Sequence, residues 1–307
     1  MEYNVEWDSR NAASNRQKHG VSLRSAIAVI PCLAVLLSGT AQGQWLNYPT
    51  PAIPRLPDGK PNLSAPAPRT ADGRPDVSGI WVAECGIDTG EGCFLQSLLF
   101  DLTRGLKSTD VEMTAWAAAI QAQREARDHV DDPYGYCLPP GVPRIDFSGG
   151  PFKILRTPGV TVFLYETLVS MVFRQVFTDG RPLPTVSEPA LLGYSVGRWE
   201  GDAFVVETTG LRDGGWLDTL KAHPHSDALR VTERLRRTDF GHMELMITID
   251  DPKAYLKPWT AKAILNLRPD TELLEAFCDT HDKTMAHRRI TPPLPEPPSV
   301  PVTRSVK

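Results

Sequence analysis

From Pro151 onward the chain breaks into short alternating segments, each closed by a turn signal, and this pattern constrains the fold more than any other feature. Strands are read at Lys153–Thr157, Val160–Glu166, Met171–Phe177, Leu191–Trp199, Phe204–Thr209, Leu229–Arg236, Met243–Asp250, Thr260–Leu267 and Glu272–Cys278, after a first one within Val77–Glu84. Pro158-Gly159, Asp179-Gly180, Glu200-Gly201-Asp202, Asp239-Phe240-Gly241 and Pro269-Asp270 supply the breaks. Strands this short at near-hairpin spacing predict an antiparallel meander. A long meander has edges to protect, and closure removes them. The expected fold is therefore mainly β: a calycin- or lipocalin-like barrel of about 8–10 strands, either filled or holding one small ligand.

One helix is expected before the barrel. Thr109 is the predicted cap, Glu112 completes a capping box, and AWAAAIQAQREARDHV carries the helix to Val130, where Asp131-Asp132-Pro133 stops it. Val111, Trp116, Ala119 and Ile120 are its expected buried stripe. Pro/Gly-rich residues 134–151 then connect to the barrel.

Of the 28 prolines among the 307 residues, 15 cluster at the two ends, within 31–75 and 292–301. Arg16, Lys18 and Arg24 precede an apolar run at Ala26–Leu37, and Ala41 and Gly43 supply the small residues a signal peptidase reads. The expected organisation is a signal peptide over 1–43 and a poorly packed, extended Pro-rich segment over 44–76. Residues 77–145 carry the first strand, the helix and the connector; 146–283 form the barrel domain, and 284–307 a disordered tail. The protein is expected to be exported, periplasmic or secreted, touching a membrane only through the cleaved signal. With both charge signs mixed and a formal net charge of −4, nucleic acid is not an expected partner.

Export favours disulfides among the four cysteines left after cleavage, Cys85, Cys93, Cys137 and Cys278. Three pairings are open; the expectation is Cys85–Cys93 and Cys137–Cys278.

Five segments in fixed order, PFKILRTPGVTVFLYE, RQVFTDGRPLP, GYSVGRWEGDAFVVETTGL, HSDALRVTERLRR and TIDDPKAYLKPWT, follow CLPPGVPR and a PNLSAP…DGRPDVSGIW leader. Together, over residues 44–282, they resemble an uncharacterised family of exported proteins abundant in acidobacteria and some proteobacteria. The resemblance implies a secreted protein with a lipocalin-like barrel core and implies no activity. The Cys85/Cys93 pair is not part of the family pattern.

Strand parity points to candidate chemistry, because alternate side chains share a face. Glu233 shares the apolar face of Leu229, Val231 and Leu235, and extending that face backward reaches Asp227, His225 and His223. A carboxylate there needs a partner. Glu233 is read either as the ion-pair partner of Arg174 or as a functional acid with a raised pKa. His225, with Glu233 or Asp179, is the candidate catalytic acid–base pair. Arg174 and Arg181 are candidate anion holders, and Tyr194, Trp216 and His223 complete the candidate ligand-binding set. No cofactor and no metal are expected; the weaker alternative is a metal held by His223 and His225, with His242, Asp227 or Glu233 as third ligand. Asp179-Gly180-Arg181 also reads as a tight turn. Ser195, in GYSVG on a strand, lacks a nucleophile-elbow context. The expected function is binding of a small polar or amphiphilic molecule. The alternative is a hydrolase, lyase or isomerase acting on a sugar-like or aromatic acid substrate.

Overall fold

The computed structural model describes residues 49–84, 100–167, 171–185 and 188–275. Nine strands close into one barrel. They are β1 (Gly79–Ala83), β2 (Phe152–Thr157), β3 (Val160–Glu166), β4 (Met171–Phe177), β5 (Tyr194–Glu200), β6 (Ala203–Thr209), β7 (Arg230–Arg237), β8 (His242–Asp250) and β9 (Trp259–Leu267). The barrel is not held within residues 146–283: β1 is one of its staves, pairing with β2 through Trp81↔Phe152 and with β9 through Trp81↔Leu267. The expected strand at Glu272–Cys278 is absent over its described part, 272–275. The chain leaves the sheet at Asp270, whose φ is 56° and whose carboxylate is tied to Thr50 N at 2.8 Å and Arg55 Nη2 at 2.6 Å.

The meander holds at every step but one. β4 and β5 run parallel, paired only through Val176↔Ser195 and Phe177↔Val196. The expected strand start at Leu191 therefore moves to Tyr194. Gly193 has φ of 62°, and a Cβ there would lie 2.6 Å from Thr209 O, so the chain turns sharply just before the strand. The stretch from Phe173 to Thr209 thus contains one hairpin, β5–β6, and one parallel crossing.

Inward positions follow the period of two. Phe152, Phe163, Tyr165, Phe204, Val231 and Leu245 are buried, and Phe152 stacks near Phe163 and Tyr165 with ring centroids 6.0 and 5.4 Å apart. These aromatic side chains pack together inside the barrel.

Helix α1 (Ala115–Glu125) is shorter than expected at both ends. Its cap is Thr114, whose side chain accepts from Ala117 N, and not Thr109; Asp128 and His129 end it at positive φ. Ala117, Ile120 and Arg124 form the buried stripe, with Ala119 exposed.

The Pro-rich segment is extended, but it is well fastened where described. Its two turns are built alike: Arg55 and Arg69 each bond the carbonyl of their own turn's glycine, Gly59 at 3.0 Å and Gly73 at 2.7 Å. Each then pairs with an acid of the barrel body, Asp270 and Asp202. Leu63 O and Ala65 O accept from Gly241 N and Phe240 N, both at 2.7 Å, seating the segment on the β7–β8 turn.

Cys137 is disulfide-bonded. Cys85, Cys93 and Cys278, like the expected signal peptide and tail, lie outside the described residues.

Candidate functional site

Two polar assemblies occupy the end of the barrel reached by β6 and β8. One is sealed in the interior, and the other lies above it and opens to a cavity.

The sealed assembly centres on Arg174. From β4 its guanidinium donates to Ser195 Oγ at 2.9 Å, Thr208 Oγ1 at 2.6 Å and Glu233 Oε1 at 3.2 Å, with a further bond to Glu233 Oε2. Tyr165 OH donates to Asp146 Oδ1 at 2.8 Å, and Asp146 in turn hydrogen-bonds Glu233. Asp146 comes from the short 3-10 turn Arg144–Phe147, which hangs into the barrel from the connector. Burial, then the Glu233 charge, pushes Asp146 well above the usual carboxylate range. Burial also acts on Glu233, but Arg174 outweighs it and holds Glu233 low. A protonated Asp146, an ionised Glu233 and a charged Arg174 leave the cluster neutral overall, which is how a low-dielectric interior tolerates it. Glu233 is thus the partner of Arg174, the first of its two readings.

The open assembly lies between the loop at 210–229 and the connector at 133–143. Its cavity is about 180 Å³, walled by Pro133, Leu138, Pro140, Leu191 and Trp216, with Arg144, Arg212, Asp213 and His225 as its charged and titratable residues. Arg124 organises this loop from helix α1. It is 2 % exposed, donates to Ala222 O at 3.1 Å and to Gly214 O and Gly215 O at 3.2 Å, and sits 4.7 Å over the Trp216 ring. Burial lowers its pKa to about 10, which leaves it charged at neutral pH.

His225 is buried at the cavity wall. Its Nδ1 faces Ser226 O at 3.0 Å, which makes Nδ1 the protonated nitrogen. Burial, the largest effect, lowers its pKa, so the ring is neutral and Nε2 is an acceptor. Nε2 has no hydrogen-bond partner among the described residues. Arg144 is already paired: it holds Asp132 in a two-pronged pair at 2.8 and 2.5 Å and reaches Thr219 Oγ1 at 3.1 Å.

The candidate catalytic trio is not brought together. His225 faces the mouth cavity, Glu233 lies in the sealed cluster, and Asp179 is exposed at the other end of the barrel, where Arg181 holds its carboxylate low. Arg181 also donates to Tyr194 OH at 3.1 Å and covers Phe177 at 4.0 Å, while Phe177 stacks on Tyr194 at 5.1 Å. Asp179, Arg181 and Tyr194 clasp the parallel β4–β5 crossing. Arg174 is sealed away from any ligand. Of the candidate ligand-binding residues, Trp216 lines the cavity.

His223 and His225 do not share a metal-ligand set. His223 joins Asp218 and Asp101, with one ligand atom from each lying within 4.8 Å of the others. Hydrogen bonds account for that grouping: Asp218 accepts from His223 Nδ1 at 2.6 Å and from the backbone of Leu102, Lys221 and His223, and Asp101 accepts from Thr103. The proposed third ligands are elsewhere, His242 on Asp239 at 2.7 Å and Asp227 on Lys253 at 2.7 Å.

Sequence reasoning missed Arg124, Asp146, Arg212, Asp213 and Gly215. Arg124 had a signal, since it falls four residues after Ile120 on the buried face. Asp146 sits in a 3-10 turn, which offers no alternation to read.

No family model matches this chain. No curated protein matches it either.

Proposed function

We propose that this is an exported β-barrel protein, periplasmic or secreted, that binds one small polar or amphiphilic molecule at the barrel mouth. The observation that carries the reading is His225: a neutral imidazole with an unpartnered acceptor, on the wall of a cavity that Trp216 and three prolines line. An acceptor that faces the cavity and has no protein partner among the described residues is free to take a hydrogen bond from a ligand donor. The aromatic packing inside the barrel directs binding to the mouth. We also propose that Cys137 pairs with Cys278 and Cys85 with Cys93.

The test is a thermal-shift and calorimetric screen of small sugars, amino acids, aromatic acids and short amphiphiles, repeated on Leu138→Trp. Leu138 is 43 % exposed, so a larger side chain there fills the cavity without entering the core. At least one class is expected to bind the natural sequence and to be excluded by the variant. Equal binding to both proteins, or no binding at all, overturns the reading.

A second reading, a hydrolase, lyase or isomerase, is favoured by the same tautomer. Nε2 of a neutral histidine is a general base in waiting, and Asp213 is the carboxylate that lines the cavity with it. Turnover of a bound ligand, lost in His225→Gln, distinguishes it from binding alone.

A further inference from the structure

We infer that the mouth cavity is built for a zwitterion, a free α-amino acid with a compact apolar side chain; this rests on the binding reading above and names its ligand class. Three groups on the cavity wall have uncommitted capacity. Arg212 is exposed and its guanidinium has no partner among the described residues; only its backbone N is used, by Ala190 O at 3.0 Å. Asp213, next in the chain, likewise has no side-chain partner among the described residues. Among the described residues no ion pair joins the two. His225, a buried residue on the cavity wall, supplies the third group through its unpartnered Nε2.

A single cation and a single anion on one wall fit a ligand that carries both charges. A carboxylate would meet the fork of Arg212, which matches two oxygens at once. An ammonium has three donors and no acceptor capacity, and would meet the two acceptors available, the Asp213 carboxylate and His225 Nε2. A simple carboxylic acid would leave Asp213 facing a like charge, and a simple amine would leave Arg212 facing one. Arg144 does not alter this balance, because Asp132 already neutralises it.

The remaining wall sets the side chain. Pro133, Leu138, Pro140, Leu191 and Trp216 are apolar, and about 180 Å³ admits a body the size of one small ring or a branched aliphatic group. Gly215 brings bare backbone against His225, so neither residue's side chain intrudes further.

Calorimetry on the full chain with L-valine, L-proline, valinamide, isovalerate and glycerol tests the inference. The amino acids should bind at least about tenfold more tightly than valinamide, which lacks the anion, or isovalerate, which lacks the cation. Arg212→Ala should weaken valine by about tenfold without weakening valinamide, and Asp213→Asn should weaken valine without weakening isovalerate, since each variant removes the like charge those compounds face. Both substitutions are at exposed positions and spare the fold. Valinamide or isovalerate binding as tightly as valine, or valine binding unaffected by both variants, overturns the inference. If glycerol or another uncharged compound binds instead and Leu138→Trp excludes it, the ligand class is wrong and the binding reading stands. If no compound of either screen binds, both fall.

Discussion

A Cβ placed on Gly215 would lie 2.1 Å from His225 Nε2. The loop backbone therefore packs close against the edge of the imidazole, and the position of the ring depends on a missing side chain. Gly215→Ala is expected to displace the ring and cost about 1–3 kcal/mol, the usual range for overpacking. Chemical denaturation measures the loss. Unchanged stability and ligand binding would show that the ring has room to move.

Glu233 and Arg174 are each 2 % exposed in the side chain, so removing one leaves the other charged and sealed. Glu233→Ala should cost about 3–5 kcal/mol. The double variant Arg174→Met with Glu233→Leu should recover much of that loss, since it leaves no buried charge. A double variant as unstable as the single one would mean that the pair specifies the barrel's packing.

Asp146 titrates above its unfolded value, so the stability it contributes is present below about pH 4 and declines as pH rises toward its folded pKa. Glu233 behaves oppositely, its contribution being lost as pH falls through its depressed folded value. Asp146→Asn keeps a neutral donor and removes the first dependence. The variant should gain on the natural sequence as pH rises above about 4. Denaturation curves across pH 4–9 that stay parallel would show that Asp146 is ionised in the folded protein.

Arg124 holds three carbonyls of the mouth loop. Arg124→Leu keeps the apolar stripe of α1 but leaves those acceptors unsatisfied, at a cost of about 2–4 kcal/mol. Hydrogen exchange should accelerate in the loop at 210–225 and stay slow in β7 and β8. Uniform acceleration across the barrel would mean that the loop and barrel unfold as one unit.

Most strands were legible because each buries one face, and a period of two survives in the residues themselves. Val231, Glu233 and Leu235 alternate inward as read, and the same parity put Glu233 inside with Arg174. Parity failed beyond Leu229, where Pro224 and the loop break the strand: Asp227 is exposed while His223 and His225 are buried. It also failed at the β4–β5 step. Asp179-Gly180 is a good turn signal, but a turn signal does not say that the next strand will begin beside the last one and run the same way.

By itself, the sequence determined the β-class, the strand positions and the inward placement of Glu233, because these depend on neighbours two residues apart. Only the tertiary structure decided that β1 closes the barrel, that Arg174, Glu233 and Asp146 seal its interior, and that His225 faces a cavity with Arg212 and Asp213. Those relations join residues tens of positions apart, and no local period records which distant backbone will fold against a given side chain.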